Sequence, residues 1–136
     1  MATKIFVNLP VKDLDKSVSF FTGLGFSFNP QFTDENATCM IVSENIFVML
    51  LTETYFKTFT KKPVSDAKAS TEVLIALDTK SREEVQQIVA KAKELGATIY
   101  SEPQDHGWMY QHAFADLDGH QWEFAYMDES QLPAQP

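Results

Sequence analysis

Asp116-Leu117-Asp118-Gly119, followed by His120-Gln121-Trp122-Glu123-Phe124, reads as a tight turn feeding a strand. Asp118-Gly119 has hairpin chemistry, because glycine takes positive φ freely and aspartate tolerates it. The strand after it is mostly apolar or aromatic, yet it carries a carboxylate at Glu123. Burying an ionised carboxylate costs several kcal/mol unless a metal, a base or hydrogen-bond donors offset it. If the connection has an even number of residues, strand alternation puts His112, Phe114, Glu123 and Ala125 on one face. Ala113, Ala115, Trp122 and Phe124 then occupy the other. A histidine and a glutamate share a surface in that register, which is either a site or the solvent face of a half-buried sheet.

Working back from this hairpin, one order of elements occurs twice. Ile5 to Val11 predicts a strand, and Asp13 caps a helix whose apolar positions Leu14, Val18, Phe21 and Leu24 keep helical spacing. Gly25 ends it. Strands follow from Phe26, over Thr38 to Val42, and over Ile46 to Leu51. The second half starts with the strand Val73 to Leu77. Ser81 then opens a helix, with Glu84 completing a capping box and Val85, Ile88, Val89, Ala92 and Leu95 as the buried stripe. Gly96 stops that helix, and strands follow over Thr98 to Tyr100, Gln111 to Ala115 and His120 to Tyr126. Both helices end in Leu-Gly before a strand, as Leu24-Gly25-Phe26 and Leu95-Gly96-Ala97. An eightfold set of strands with two helices in matched order indicates an internal duplication.

Composition limits the functional classes. The chain has 136 residues, 44% of them hydrophobic and 12% aromatic, which suits a single globular domain with a core of its own. A net charge of −8 argues against nucleic acid or an anionic membrane as partner, since either calls for a concentrated basic patch. The one basic cluster, Lys57, Lys61 and Lys62, is small. The single cysteine, Cys39, excludes an internal disulfide and fits a reducing compartment. No apolar run approaches the ~20 residues that span a bilayer, and no basic region leads into an apolar stretch at the N-terminus. The expected location is cytoplasmic.

The chain resembles the vicinal oxygen chelate superfamily, which contains glyoxalase I, fosfomycin-resistance transferases, extradiol dioxygenases and bleomycin-resistance proteins. The residues that carry the resemblance are Leu9 to Ser17 before Phe20-Phe21, then Leu24-Gly25-Phe26, and Asp116 to His120 leading to Glu123. The turn is similar to the family's Asp-Pro-Asp-Gly, with Leu117 where proline is usual. The resemblance implies an α+β fold in which two βαβββ modules pair as curled mixed sheets enclosing a cavity. Residues 4–54 and 71–128 would be the modules, 55–70 the connecting segment and 129–136 a polar tail. A homodimer is implied too.

Family members hold one divalent metal on inner strands, so the resemblance marks four positions. Glu123 stands at the carboxylate position after the turn, and Glu72 falls where many members have His or Glu. Counting back from Asp13 puts Phe6 at the first position and Leu50 near the second, with Asn8 and Glu53 close by. Neither Phe nor Leu can ligate a metal. Two carboxylates and water would hold Mg²⁺ or Mn²⁺ weakly, whereas Zn²⁺, Ni²⁺ or Fe²⁺ would recruit an imidazole, for which His112 is the candidate. No organic cofactor is implied.

Residues Glu102 to Tyr110 concentrate further chemistry. Asp105-His106 reads either as an acid/base pair or as an exposed loop without a role, and Trp108 and Tyr110 suit a pocket wall or an interface. Tyr55, Phe56 and Phe59 in the connecting segment either fold over a site or simply pack. With Phe6, Asn8, Leu50 and Phe114, Trp108 and Tyr110 make up the expected substrate cavity. Two functions stay open. In one, an enzyme uses Glu123, with Glu72 and His112, to position a metal or to take a proton next to a carbonyl. In the other, a metal-free protein sequesters an apolar or cationic small molecule. Glutathione-dependent glyoxalase chemistry is disfavoured, because two metal positions are empty of ligands.

Overall fold

A computed structural model describes residues 1–132; the last part of the expected tail, residues 133–136, lies outside them. The chain divides into two compact units, Met1–Asp66 and Ala67–Pro136, with the division inside the connecting segment. Each unit is built on the same plan.

In the first unit, β1 (Ile5–Val11) is followed by α1 (Leu14–Gly23), β2 (Ser27–Asn29), β3 (Ala37–Ser43) and β4 (Ile46–Thr52). The sheet order is β1-β4-β3-β2, with β1 parallel to β4 and the other pairs antiparallel. Asp13 accepts a hydrogen bond from the Lys16 amide at 3.1 Å and so starts α1. The helix stops where Gly25 turns to φ +102°. The Phe26 amide donates to the Phe21 carbonyl at 3.0 Å and the Gly25 amide to Thr22, while the Phe21 and Phe26 rings meet edge to face. That is a Schellman cap with its hydrophobic contact. Alternation assigns Leu9, Val11, Val48 and Leu50 to the face packed under α1, and all four are buried. Phe6, Asn8, Met49, Leu51 and Ala37 point to the opposite face.

The second unit repeats this as β5 (Leu74–Asp78), α3 (Arg82–Glu94), β6 (Gln104–Asp105), β7 (Met109–Ala115) and β8 (Gln121–Met127), in the sheet order β5-β8-β7-β6. Between the two plans lies the short helix α2 (Glu53–Phe56). The cap of α3 differs slightly from the expected capping box. Ser81 Oγ accepts the Glu84 amide, but the Glu84 carboxylate takes the amide of Lys80, one residue before the cap. Its end is a second Schellman cap, with the Ala97 amide bonded to the Ala92 carbonyl and Gly96 at φ +107°.

One strand is not where the sequence places it. Thr98 makes only a single bridge to Ala115, and the strand that pairs with β7 is the two-residue Gln104–Asp105. A distant side chain fixes that short strand. Arg82, on the first turn of α3, holds Asp105 through both carboxylate oxygens at 2.7 and 3.1 Å and also donates to the Gly107 carbonyl. The Asp105 carboxyl accordingly sits below its ordinary range, chiefly because of the Arg82 hydrogen bond.

Candidate functional site

The first unit contains a groove of about 640 Å³ on the sheet face opposite α1. Its floor is Asn8, Ala37, Met49 and Leu51, contributed by β1, β3 and β4. One wall is Gln31, Phe32, Thr33 and Asp34, and the other is Tyr55, Phe56, Phe59 and Thr60.

Local hydrogen bonds shape both walls. Asn29 Oδ1 accepts the Gln31 amide at 3.0 Å and starts a 3-10 turn over Pro30–Phe32, where proline needs no amide partner. Thr33 Oγ1 reaches the Asn29 carbonyl and the Thr38 hydroxyl, each at 2.8 Å, and Asp34 Oδ1 accepts the amides of Asn36 and Ala37. On the other side, Thr52 caps α2 and the Thr58 hydroxyl closes on the Tyr55 carbonyl at 2.7 Å. This places the Tyr55 and Phe59 rings edge to face, 5.0 Å apart. Phe32 and Phe59 stay 61% and 67% exposed, which leaves apolar surface for a ligand to cover.

Of the expected cavity residues in this unit, Asn8 lines the groove. Leu50 does not. It points the other way, fully buried under α1, while its neighbours Met49 and Leu51 form the floor. A period of two makes a one-residue displacement a change of face. Phe6 shares the face of Asn8 but stacks on Phe47, ring centres 5.0 Å apart, outside the groove lining.

The second unit corrects the face assignment of the hairpin. Ala115 pairs with Gln121, so residues 116 to 120, five in number, form an odd connection. His112 therefore lies opposite Phe124, and Phe114 opposite Trp122, while Glu123 lies opposite Ala113 and beside Ala76 of β5. His112 and Glu123 are on opposite faces. The His112 Nε2 donates to the Ser101 carbonyl at 2.9 Å. Phe114 is fully buried on the α3 face and stacks on Phe124, so it cannot line a cavity on the Glu123 side. Tyr110 shares the face of Phe114, and its ring centre lies 5.5 Å from the Arg82 guanidinium. Trp108 is half-buried in the turn before β7, its carbonyl accepting the Asp128 amide at 2.7 Å. The strongest partner of Asp105 is Arg82, with His106 a lesser charge contribution.

Asp116 organises the turn. Its Oδ1 accepts the amides of Asp118 and His120 at 2.9 and 3.0 Å, and its Oδ2 accepts the Trp122 indole N–H at 3.0 Å. Burial pushes its carboxyl above the usual range, against the pull of His120 and these donors. Beyond the turn, Glu123 is half-buried on a polar patch. Gln121, on the same face, accepts the Thr71 hydroxyl at 2.6 Å, and Tyr100 hydrogen-bonds to Gln121 as well. Burial first, and then the charge of Glu123, hold the Tyr100 phenol above its ordinary range.

The donor set does not fit a resident divalent ion. The neighbours of Glu123 on its face are alanines, glutamines and the Tyr100 phenol, with one further carboxylate, the exposed Asp78 beside Ala125; His112 faces away, and Glu72 is exposed ahead of β5. Among the described residues, no three His, Cys, Asp or Glu side chains come together in a group that could hold a metal. No helix of the described residues is long and apolar enough to cross a membrane.

The duplicated βαβββ plan and its paired four-stranded sheet orders have a counterpart among known proteins. Residues 5–124 match the Glyoxalase/Bleomycin resistance protein/Dioxygenase superfamily, and the chain belongs to that family. It is similar to the hypothetical protein SA1046 from S. aureus, with 33% identity, 93% of this chain and 95% of that one covered, and a TM-score of 0.79. The fold is shared with a glyoxalase/bleomycin resistance protein/dioxygenase family enzyme from Burkholderia phytofirmans PsJN, at 16% identity, 90% and 96% coverage and a TM-score of 0.74. It is shared also with the fosfomycin resistance protein FosX from Listeria monocytogenes, complexed with Mn(II) and sulfate ion, at 18% identity, 93% and 92% coverage and a TM-score of 0.69. No curated protein matches the chain.

Proposed function

We propose that this protein binds a small organic molecule in the groove of its first unit, and that it does so without a resident metal. The groove itself carries this reading. Its volume of about 640 Å³ lies within the range of roughly 300–1,000 Å³ typical of small-molecule sites, and its lining is mainly apolar and aromatic with a few polar groups. FosX, a relative by fold, is complexed with Mn(II), but among the described residues here no three His, Cys, Asp or Glu side chains come together to hold an ion.

Binding is tested by filling the groove. Asn8 is exposed on the floor, so Asn8→Trp puts a large ring into the groove without overpacking the core. Affinity for any small-molecule binder found by thermal-shift screening is expected to fall at least about tenfold, or about 1.4 kcal/mol. Unchanged affinity in a folded Asn8→Trp variant contradicts the assignment. Metal analysis of protein purified without affinity-resin nickel is expected to give well below one ion per chain. A stoichiometric ion that disappears in Glu123→Ala would overturn the metal-free part.

A further inference from the structure

We propose that the molecule taken up by this groove is an organic cation, a positively charged group on an apolar or aromatic body, and that Asp34 is its counter-ion. The inference rests on the groove being the binding site and adds the chemical class of the ligand.

Three observations point to a cation. First, Asp34 is the one carboxylate in the lining, and no lysine, arginine or histidine lines the groove. An anionic ligand would meet a fixed like charge and only neutral donors, which disfavours it. Second, the carboxylate is already oriented. Its Oδ1 is tied to the amides of Asn36 and Ala37 at 2.8 and 3.0 Å, while Oδ2 has no partner among the described residues. An acceptor held in place loses little freedom on binding, so more of the charge-assisted hydrogen bond remains as affinity. Third, four of the lining residues are aromatic, and the exposed rings of Phe32 and Phe59 can cover the faces of a cation as well as its apolar body.

The general field of the unit does not make this choice. Residues 1–66 carry six lysines against seven Asp and Glu, a formal charge of −1, so selection falls to the group that meets the ligand. Lys57, Lys61 and Lys62 belong to the neighbouring segment, but none of them lines the groove.

Benzamidine, benzamide and benzoate have nearly the same shape and differ in charge, so titrating each into the full chain under NMR observation separates charge from fit. Benzamidinium is expected to bind about tenfold more tightly than benzamide, with benzoate weakest. Asp34→Asn keeps an oxygen for the Asn36 and Ala37 amides, and it is expected to erase the benzamidinium advantage over benzamide. Unmoved Asn36 and Ala37 amide signals in the free variant establish that the turn is intact. Equal binding of benzamidine and benzamide, a preference for benzoate, or a cation preference that survives Asp34→Asn overturns the cation proposal and leaves the groove assignment standing. If none of the three probes shifts the methyl signals of Met49 and Leu51, the groove assignment falls and the cation proposal with it.

Discussion

Gly119→Ala is expected to lower the stability of the second unit by about 3 kcal/mol, the combined effect of left-handed strain and overpacking. Gly119 sits at φ +94° in the turn that Asp116 organises. A Cβ there would stand 2.7 Å from the Lys68 amide nitrogen and 2.8 Å from the Ala67 carbonyl carbon. Both are backbone atoms, so no side-chain rotation relieves the clash. Gly107→Ala is the internal comparison within the same unit, because Gly107 also has a positive φ, +81°, with nothing within 4 Å of an added Cβ. That variant should show only the conformational part, about 1–2 kcal/mol. Both tryptophans, Trp108 and Trp122, belong to the second unit, so urea unfolding followed by fluorescence reports on it. A Gly119→Ala loss below about 1 kcal/mol would show that the segment Ala67-Lys68 yields easily, contrary to the close packing described.

Asp116→Ala is expected to have an effect of similar size, about 3 kcal/mol, for a different reason. It strips acceptors from two amides and from the buried Trp122 indole N–H. A buried donor left without a partner costs about 1–3 kcal/mol, whereas the amides of Asp118 and His120 lie in a part-buried turn and lose less. Asp116→Asn should recover part of the loss, since its amide oxygen still serves one side of the turn. The pair also has a pH signature. Burial raises the folded-state pKa of Asp116 above its unfolded value of about 3.9, so the ionised form weakens the fold at neutral pH. That penalty is relieved as pH falls through the raised folded pKa toward about 3.9. The stability difference, wild type minus Asp116→Asn, is therefore expected to move in favour of wild type as the solution is acidified over this window. A difference that moves the other way in parallel urea titrations would show that the hydrogen bonds, and not burial, dominate the carboxyl.

Much of this fold is legible from local signals. Asp13, Gly25, Ser81 and Gly96 mark the helix ends through side-chain caps and positive φ, which depend only on neighbours in sequence. The repeated order of elements follows from those marks. What depends on distant partners is not legible in the same way. Gln104–Asp105 lacks strand alternation and is held by Arg82, twenty-three positions earlier in the chain. The face of Glu123 depends on whether the hairpin connection is odd or even, and Asp116 settles that by folding two amides onto its own side chain.

The groove shows the same division. Counting back from the helix cap reaches Phe6, with Asn8 two residues on along the same face, and strand alternation with a parallel β1-β4 pairing would have selected Met49 and Leu51 in place of Leu50. Tyr55, Phe56 and Phe59 are visible as an aromatic group, and the structure sets them along one wall. Gln31 to Asp34 carry no periodic pattern. Asn29-Pro30 signals a turn there, but nothing local says that the turn folds back toward the sheet.

The groove assignment is tested most directly by a crystal soaked with the tightest small-molecule binder from the thermal-shift screen. The bound molecule is expected to lie on Asn8 and Met49, flanked by the rings of Phe32 and Phe59. A molecule bound at full occupancy elsewhere, with the groove empty, would contradict the assignment.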